Sequence, residues 1–214
     1  MQSPSLCKRL LLYVIVDPAW CALGAQEVAR QAVSGGATAL QLRSKSLSDR
    51  ENFALAQELR VVTRDRALLI INDRVDIALA SGADGVHLGV DDLPVAAARE
   101  IGGPGLLIGY SPETDEQTIA AKAAGADYLG VGPVFGTSSK LDAGPATGTA
   151  ILSVRQKLSG LPIVGIGGIN VSNAKSVIAA GACGVSVMSA VIGDRDPLRA
   201  TRELYEVVTG DIDR

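Results

Sequence analysis

Aromatic residues are scarce in this chain, and histidine nearly absent. Phe, Trp and Tyr together make up 3% of 214 residues, and His87 is the single histidine. A core without large rings must be built from Val, Ile, Leu and Ala, which suits parallel strands buried on both faces. With one histidine, flanked in a strand-like run by Val86 and Leu88, a buried structural imidazole is expected rather than a catalytic base. A hydrolase triad and a zinc site both lack the residues they need. Cys7, Cys21 and Cys183 are too few and too widely spaced for a disulfide framework or a zinc pattern, so the reducing cytosol is the expected compartment. No basic block exists, and the net charge is −3 with a pI near 5.2, which argues against nucleic acid as a partner. The apolar run Leu10–Val16, behind Lys8 and Arg9, is too short to span a membrane and ends at Asp17-Pro18, so it reads as a first strand rather than a signal peptide.

Short apolar runs alternate with helix-like segments. Strands are expected at Leu11–Val16, Ala39–Arg43, Leu68–Asn72, Gly85–Gly89, Leu107–Ser111, Tyr128–Val134, Ile163–Gly167 and Gly184–Ser189, with amphipathic stretches such as Asp49–Arg64 and Thr114–Ala124 between them. Eight such units predict an α/β protein with one (β/α)8 TIM barrel over residues 1–214, the barrel proper at about 11–210. An open doubly wound sheet is the alternative, but Asp17-Pro18-Ala19-Trp20 is no dinucleotide-binding turn. A short repeat agrees with the barrel: Gly36-Ala37-Thr38, Gly82-Ala83-Asp84, Gly125-Ala126-Asp127 and Gly181-Ala182-Cys183 each precede a strand. The glycine closes a helix in the left-handed conformation, on the stability face, where no chemistry is expected.

In this fold the active site forms at the C-terminal strand ends. Three chemical sets converge there. Arg43, Lys45 and Lys140, with Asn72 and Ser111 as neutral donors, suit a diphosphate. Asp73 and Asp92 supply hard oxygen ligands for Mg²⁺, completed by phosphate oxygens. Gly167-Gly168 and the turn after Ser189 offer backbone amides to a second phosphate. Each set has a plainer alternative: Arg43 and Lys45 as solvated charges beside Asp49, Asp73 as a helix cap or partner of Arg74, Asp91 or Asp92 as a cap for a Pro-opened helix, and the glycines as a tight turn. The Gly- and Ser-rich stretch Gly136–Gly148 lies over the mouth as a binding loop or lid.

Gln41-Leu42-Arg43-Ser44-Lys45, Ile71-Asn72-Asp73-Arg74, Gly82–Gly89, Gly130-Val131-Gly132-Pro133-Val134-Phe135 and Gly165-Ile166-Gly167-Gly168-Ile169 resemble, in order, the motifs of the thiamine phosphate synthase family from about Leu12 to Pro197. The resemblance implies a transferase that displaces diphosphate from hydroxymethylpyrimidine diphosphate with the thiazole nitrogen of hydroxyethylthiazole phosphate, using Mg²⁺. It implies that Arg43, Lys45, Asn72, Ser111 and Lys140 hold the diphosphate, with Ser111, Lys140 and Arg43 acting in catalysis, and that Asp73 and Asp92 ligate the metal. Gln41 would contact the pyrimidine, Thr137 and Ser139 the thiazole, and Gly168, Met188 and Ser189 its phosphate. The partners implied are small molecules, with no membrane and with a homo-oligomer left open. The sequence departs from the family at Val90, Ser44, Glu113, Gly136 and Ser139. Two other readings stay open: a thiazole tautomerase-like isomerase, which needs no metal or diphosphate set, and a non-catalytic phosphate-binding barrel.

Overall fold

A computed structural model describes residues 4–137 and 144–210. Eight parallel strands close into a barrel in sequence order: β1 (Leu12–Val16), β2 (Ala39–Leu42), β3 (Leu68–Asn72), β4 (Gly85–Leu88), β5 (Leu107–Tyr110), β6 (Tyr128–Val131), β7 (Ile163–Ile166) and β8 (Gly184–Val187), with β8 pairing back onto β1. A short helix, α1 (Pro4–Arg9), precedes β1. The connecting helices are α2 (Ala25–Ser34), α3 (Asp49–Thr63), α4 (Val75–Ser81), α5 (Val95–Gly102), α6 (Asp115–Ala124), α7 (Ala150–Ser159) and α8 (Ala174–Ala179), and α9 (Ser189–Ile192) and α10 (Pro197–Thr209) close the chain. Among the described residues no helix is long and apolar enough to cross a membrane.

The strands are apolar throughout because both faces are buried. In β3, Leu69 and Ile71 pack outward with the helices, while Leu68 and Ile70 pack inward with Tyr13, Ile15, Tyr128 and Val164. That period of two is what a pleated strand imposes. Helix starts follow local chemistry. Ser48 with Glu51 and Thr114 with Gln117 form reciprocal capping boxes, so Thr114 stands just outside the helix rather than within it. β6 ends at Val131, three residues short of expectation, because Pro133 has no N–H for the ladder.

The Gly-Ala repeat behaves as expected, and does more. Gly36, Gly82, Gly125 and Gly181 all have positive φ. Two residues beyond the first three of them, a side chain holds an amide at a strand start: Thr38 Oγ1 accepts from Leu12 N at 3.0 Å, Asp84 Oδ2 from Leu69 N at 2.8 Å, and Asp127 Oδ2 from Ile108 N at 2.8 Å. Arg60 and Arg99 neutralise those two carboxylates at 2.9 and 2.6 Å. This closed, self-satisfied rim frees the opposite end for chemistry.

Candidate functional site

β2 delivers Gln41 into the barrel and Arg43 to its mouth. Arg43 Nη1 donates to Asp17 Oδ2 at 2.7 Å, and Asp17 is buried at the end of β1, where it also accepts from Ala19 N. The ion pair fixes one edge of the guanidinium and leaves its other N–H groups for an anion. Asp49, the alternative partner, is taken by Arg74, which also grips Asp76. Arg43 is therefore a held side chain rather than a solvated one. Asp17 escaped the sequence reading, although it ends a strand like the other site residues. Lys45 is exposed beyond Arg43.

β3 and β4 deliver the carboxylates. Asp73 adopts φ 63°, a left-handed conformation uncommon outside glycine. Its N–H donates to the His87 carbonyl at 2.9 Å. Its carboxyl meets that of Asp92, whose Oδ2 accepts from Gly89 N at 2.6 Å. Burial, then the hydrogen bond and charge of Asp92, push Asp73 up to about 6, against the opposing pull of Lys45 and Arg43. Neither aspartate caps a helix: the cap positions before α4 and α5 are Arg74 and Pro94, both without a side-chain cap, which overturns the expectation that Asp91 or Asp92 serves as one. Two carboxylates driven together at a mouth that also carries Lys45 and Arg43 fit a divalent cation shared with a phosphate. Among the described residues no cluster of three or more His, Cys, Asp or Glu offers a fuller metal cage.

Ser111 follows β5, where its Oγ lies 2.8 Å from His87 Nε2. The single histidine, expected as structural, thus touches a candidate site residue. Its other nitrogen faces Tyr128 Oη at 3.2 Å rather than a carboxylate, so no triad forms. Burial holds the imidazole down at about 4, hence neutral. Tyr128 Oη lies 3.1 Å from Tyr13 Oη, and Gln41 Nε2 donates to Tyr13 Oη at 2.8 Å. Tyr13 and Tyr128 were also missed, because nothing in the sequence marks an inward strand tyrosine as part of a site. Asn72, half-buried, ends β3 beside these groups.

On the opposite side, Gly167 and Gly168 have φ 96° and 63°. A Cβ on Gly167 would fall 2.6 Å from Pro133 Cα, and one on Gly168 2.3 Å from the Gly136 carbonyl. Phe135 N donates to Gly167 O at 3.0 Å and ties the two loops together, while Asn173 Nδ2 donates to Gly168 O at 3.0 Å within the β7–α8 loop. Thr137 is half-buried at the edge of this contact; Ser139 and Lys140 lie outside the described residues. Met188 and Ser189 sit at the neighbouring β8 end, with Met188 half-buried and Ser189 exposed as the first residue of α9.

The comparisons with known proteins point the same way. Residues 12–191 match the family model described as thiamine monophosphate synthase. The chain is 53% identical over 184 residues to a thiamine-phosphate synthase of Moorella thermoacetica, covering 86% of this chain and 88% of that protein. It is 47% identical over 201 residues to one of Methanospirillum hungatei, covering 92% and 97%. Among solved structures, the thiamine phosphate pyrophosphorylase of Pyrococcus furiosus superposes with a TM-score of 0.88 at 42% identity, covering 96% of this chain and 98% of that one. The barrel, the residues at its mouth and the match over most of its length make this chain a member of the thiamine monophosphate synthase family.

Proposed function

We propose that the protein joins hydroxymethylpyrimidine diphosphate to hydroxyethylthiazole phosphate, releasing diphosphate and forming thiamine phosphate. The observation that carries this reading is the carboxylate pair Asp73–Asp92, flanked by Arg43 and Lys45 at the barrel mouth. A barrel that only isomerised a thiazole phosphate, or only bound one, would have no use for a crowded acidic pair beside cations. Asp73 and Asp92 would hold Mg²⁺, which when bound supplies positive charge to a departing diphosphate.

The chain's own groups do the rest. Arg43, oriented by Asp17, and Lys45 draw the diphosphate to the mouth, with Asn72 and Ser111 as neutral donors and Lys140 as a third cation. The bond from the pyrimidine methylene carbon to diphosphate oxygen breaks, its electron pair leaving with the oxygen. The electron-rich aminopyrimidine stabilises the resulting cation, and the thiazole nitrogen lone pair forms the new C–N bond. No proton is removed from the nucleophile, so a neutral histidine that is a poor base fits the reaction. Gln41 donates inward to Tyr13, which turns its carbonyl oxygen towards the pyrimidine amino group. The family resemblance assigns Thr137 and Ser139 to the thiazole, and the amides around Gly168 with Met188 and Ser189 to its phosphate. We place the reaction in the cytosol, where Cys7, Cys21 and Cys183, none of them in a disulfide, stay reduced.

The test is product identity. Purified protein given both substrates and Mg²⁺ should form thiamine phosphate; isomerisation of a carboxythiazole phosphate without thiamine phosphate would establish the tautomerase instead.

A further inference from the structure

Inside the barrel, five polar side chains, four from strands and Ser111 from just after β5, touch in series: Gln41, Tyr13, Tyr128, His87 and Ser111, with contacts of 2.8, 3.1, 3.2 and 2.8 Å. Such a chain is costly to bury and expected only where every proton has an acceptor. Two inward glycines make room for it. A Cβ at Gly109 would fall 2.2 Å from Tyr128 Cζ and 2.4 Å from His87 Nδ1, and one at Gly130 2.9 Å from Ser111 Oγ and 3.0 Å from His87 Cε1. Neither glycine has a positive φ, so what is needed there is space rather than backbone freedom.

We propose that this series is a one-way hydrogen-bond relay, in which His87, carrying its proton on Nε2, is a positioning residue that keeps the Ser111 hydroxyl proton free to donate to substrate. The direction follows from counting protons. Gln41 Nε2–H occupies Tyr13 Oη, so the Tyr13 proton goes to Tyr128 Oη, the acceptor 3.1 Å away. Tyr128 then cannot donate backwards, and its proton goes to His87 Nδ1. The neutral imidazole therefore bears its proton on Nε2 and donates to Ser111 Oγ. The opposite polarity requires Gln41 to turn its NH₂ outward and would make the Ser111 proton point back at His87. An aminopyrimidine ring, itself a donor, would then face a donor at Gln41, while the diphosphate would lose one at Ser111. The relay thus couples pyrimidine recognition to diphosphate binding; that coupling rests on the two-substrate reading, whereas the direction of the relay does not.

Because His87 is the only histidine, long-range ¹H–¹⁵N correlation of the uniformly labelled full chain reports one imidazole. The expected spectrum at neutral pH is a protonated Nε2 and a bare Nδ1; an Nδ1–H tautomer or an imidazolium overturns the relay. Tyr128→Phe, nearly isosteric, removes the donor to Nδ1. It should mix the tautomers and lower kcat about tenfold, the loss of roughly one hydrogen bond, with KM for either substrate within about threefold. An unchanged tautomer and kcat in that variant also overturn it. Should Tyr128→Phe not fold, His87→Gln, which keeps an N–H near the Nε2 position, should retain most of the rate that His87→Leu loses; equal losses refute the relay. The Nε2–H spectrum in a protein that forms no thiamine phosphate would leave the relay standing and remove the synthase reading.

Discussion

Replacing Asp73 by Asn should make the empty protein more stable and the enzyme nearly inactive. Asp73 is held at φ 63°, a conformation Asn tolerates well. Its carboxyl is raised from the usual 3.8 to about 6 by burial and by Asp92. The sign follows from linkage: the folded protein holds this proton more tightly than the unfolded chain, so the stability it contributes is complete below pH 3.8 and is lost as pH rises through 6. At pH 7 the ionised carboxylate costs about 3 kcal/mol if fully felt, and about 1–2 kcal/mol after discounting for water at the open mouth. Asp73→Asn removes that charge, so Tm should rise by about 2–8 °C at pH 7 and by little near pH 4. Thermal unfolding of both proteins from pH 4 to 8, with and without Mg²⁺ and diphosphate, measures it. The wild type should gain stability from the added pair of ligands and the variant far less. A Tm lowered at pH 7, or activity retained with unchanged Mg²⁺ dependence, would refute the shared-cation account.

Further outcomes follow from other parts of the mouth. On its proposed role at the departing diphosphate, Lys140→Ala should lower kcat at least about tenfold while leaving the pyrimidine KM within about threefold; steady-state kinetics checks it. Gly168→Ala places a Cβ against the Gly136 carbonyl at positive φ, so it should cost about 1–3 kcal/mol of stability and raise the thiazole phosphate KM, as urea unfolding and kinetics would show. His87, held at about 4, contributes stability that is complete at pH 7 and lost as pH falls from 6.5 towards 4; His87→Gln should flatten the urea midpoint across that window.

The barrel was legible because parallel strands buried on both faces leave continuous apolar runs, and because the Gly-Ala repeat marks the returns to the closed rim before β2, β4, β6 and β8. Six strands end one to three residues earlier than expected; Gly89 follows β4, Gly167 follows β7 and Gly132-Pro133 follows β6. Reading the residues after each strand put Arg43, Asp73, Asp92 and Ser111 at one end of the barrel, where the structure also has them. What it could not find were groups defined by a partner in another strand. Asp17 matters through Arg43, 26 positions away, and Tyr128 through Tyr13, 115 positions away. His87 looked like a core residue because its neighbours in sequence are apolar; Ser111 comes next to it only once the barrel closes. The capping alternative for the aspartates failed because the cap positions of α4 and α5 fall one and two residues further on, at Arg74 and Pro94.

The most direct measurement follows diphosphate and thiamine phosphate together in one reaction, omitting each component in turn. With both substrates and Mg²⁺ the two products should rise in equal amounts, and omission of Mg²⁺ or replacement of Asp92 by Asn should suppress both. Steady release of diphosphate without thiamine phosphate, or conversion of a thiazole phosphate that ignores the pyrimidine and the metal, would contradict the assignment of this mouth as a two-substrate synthase.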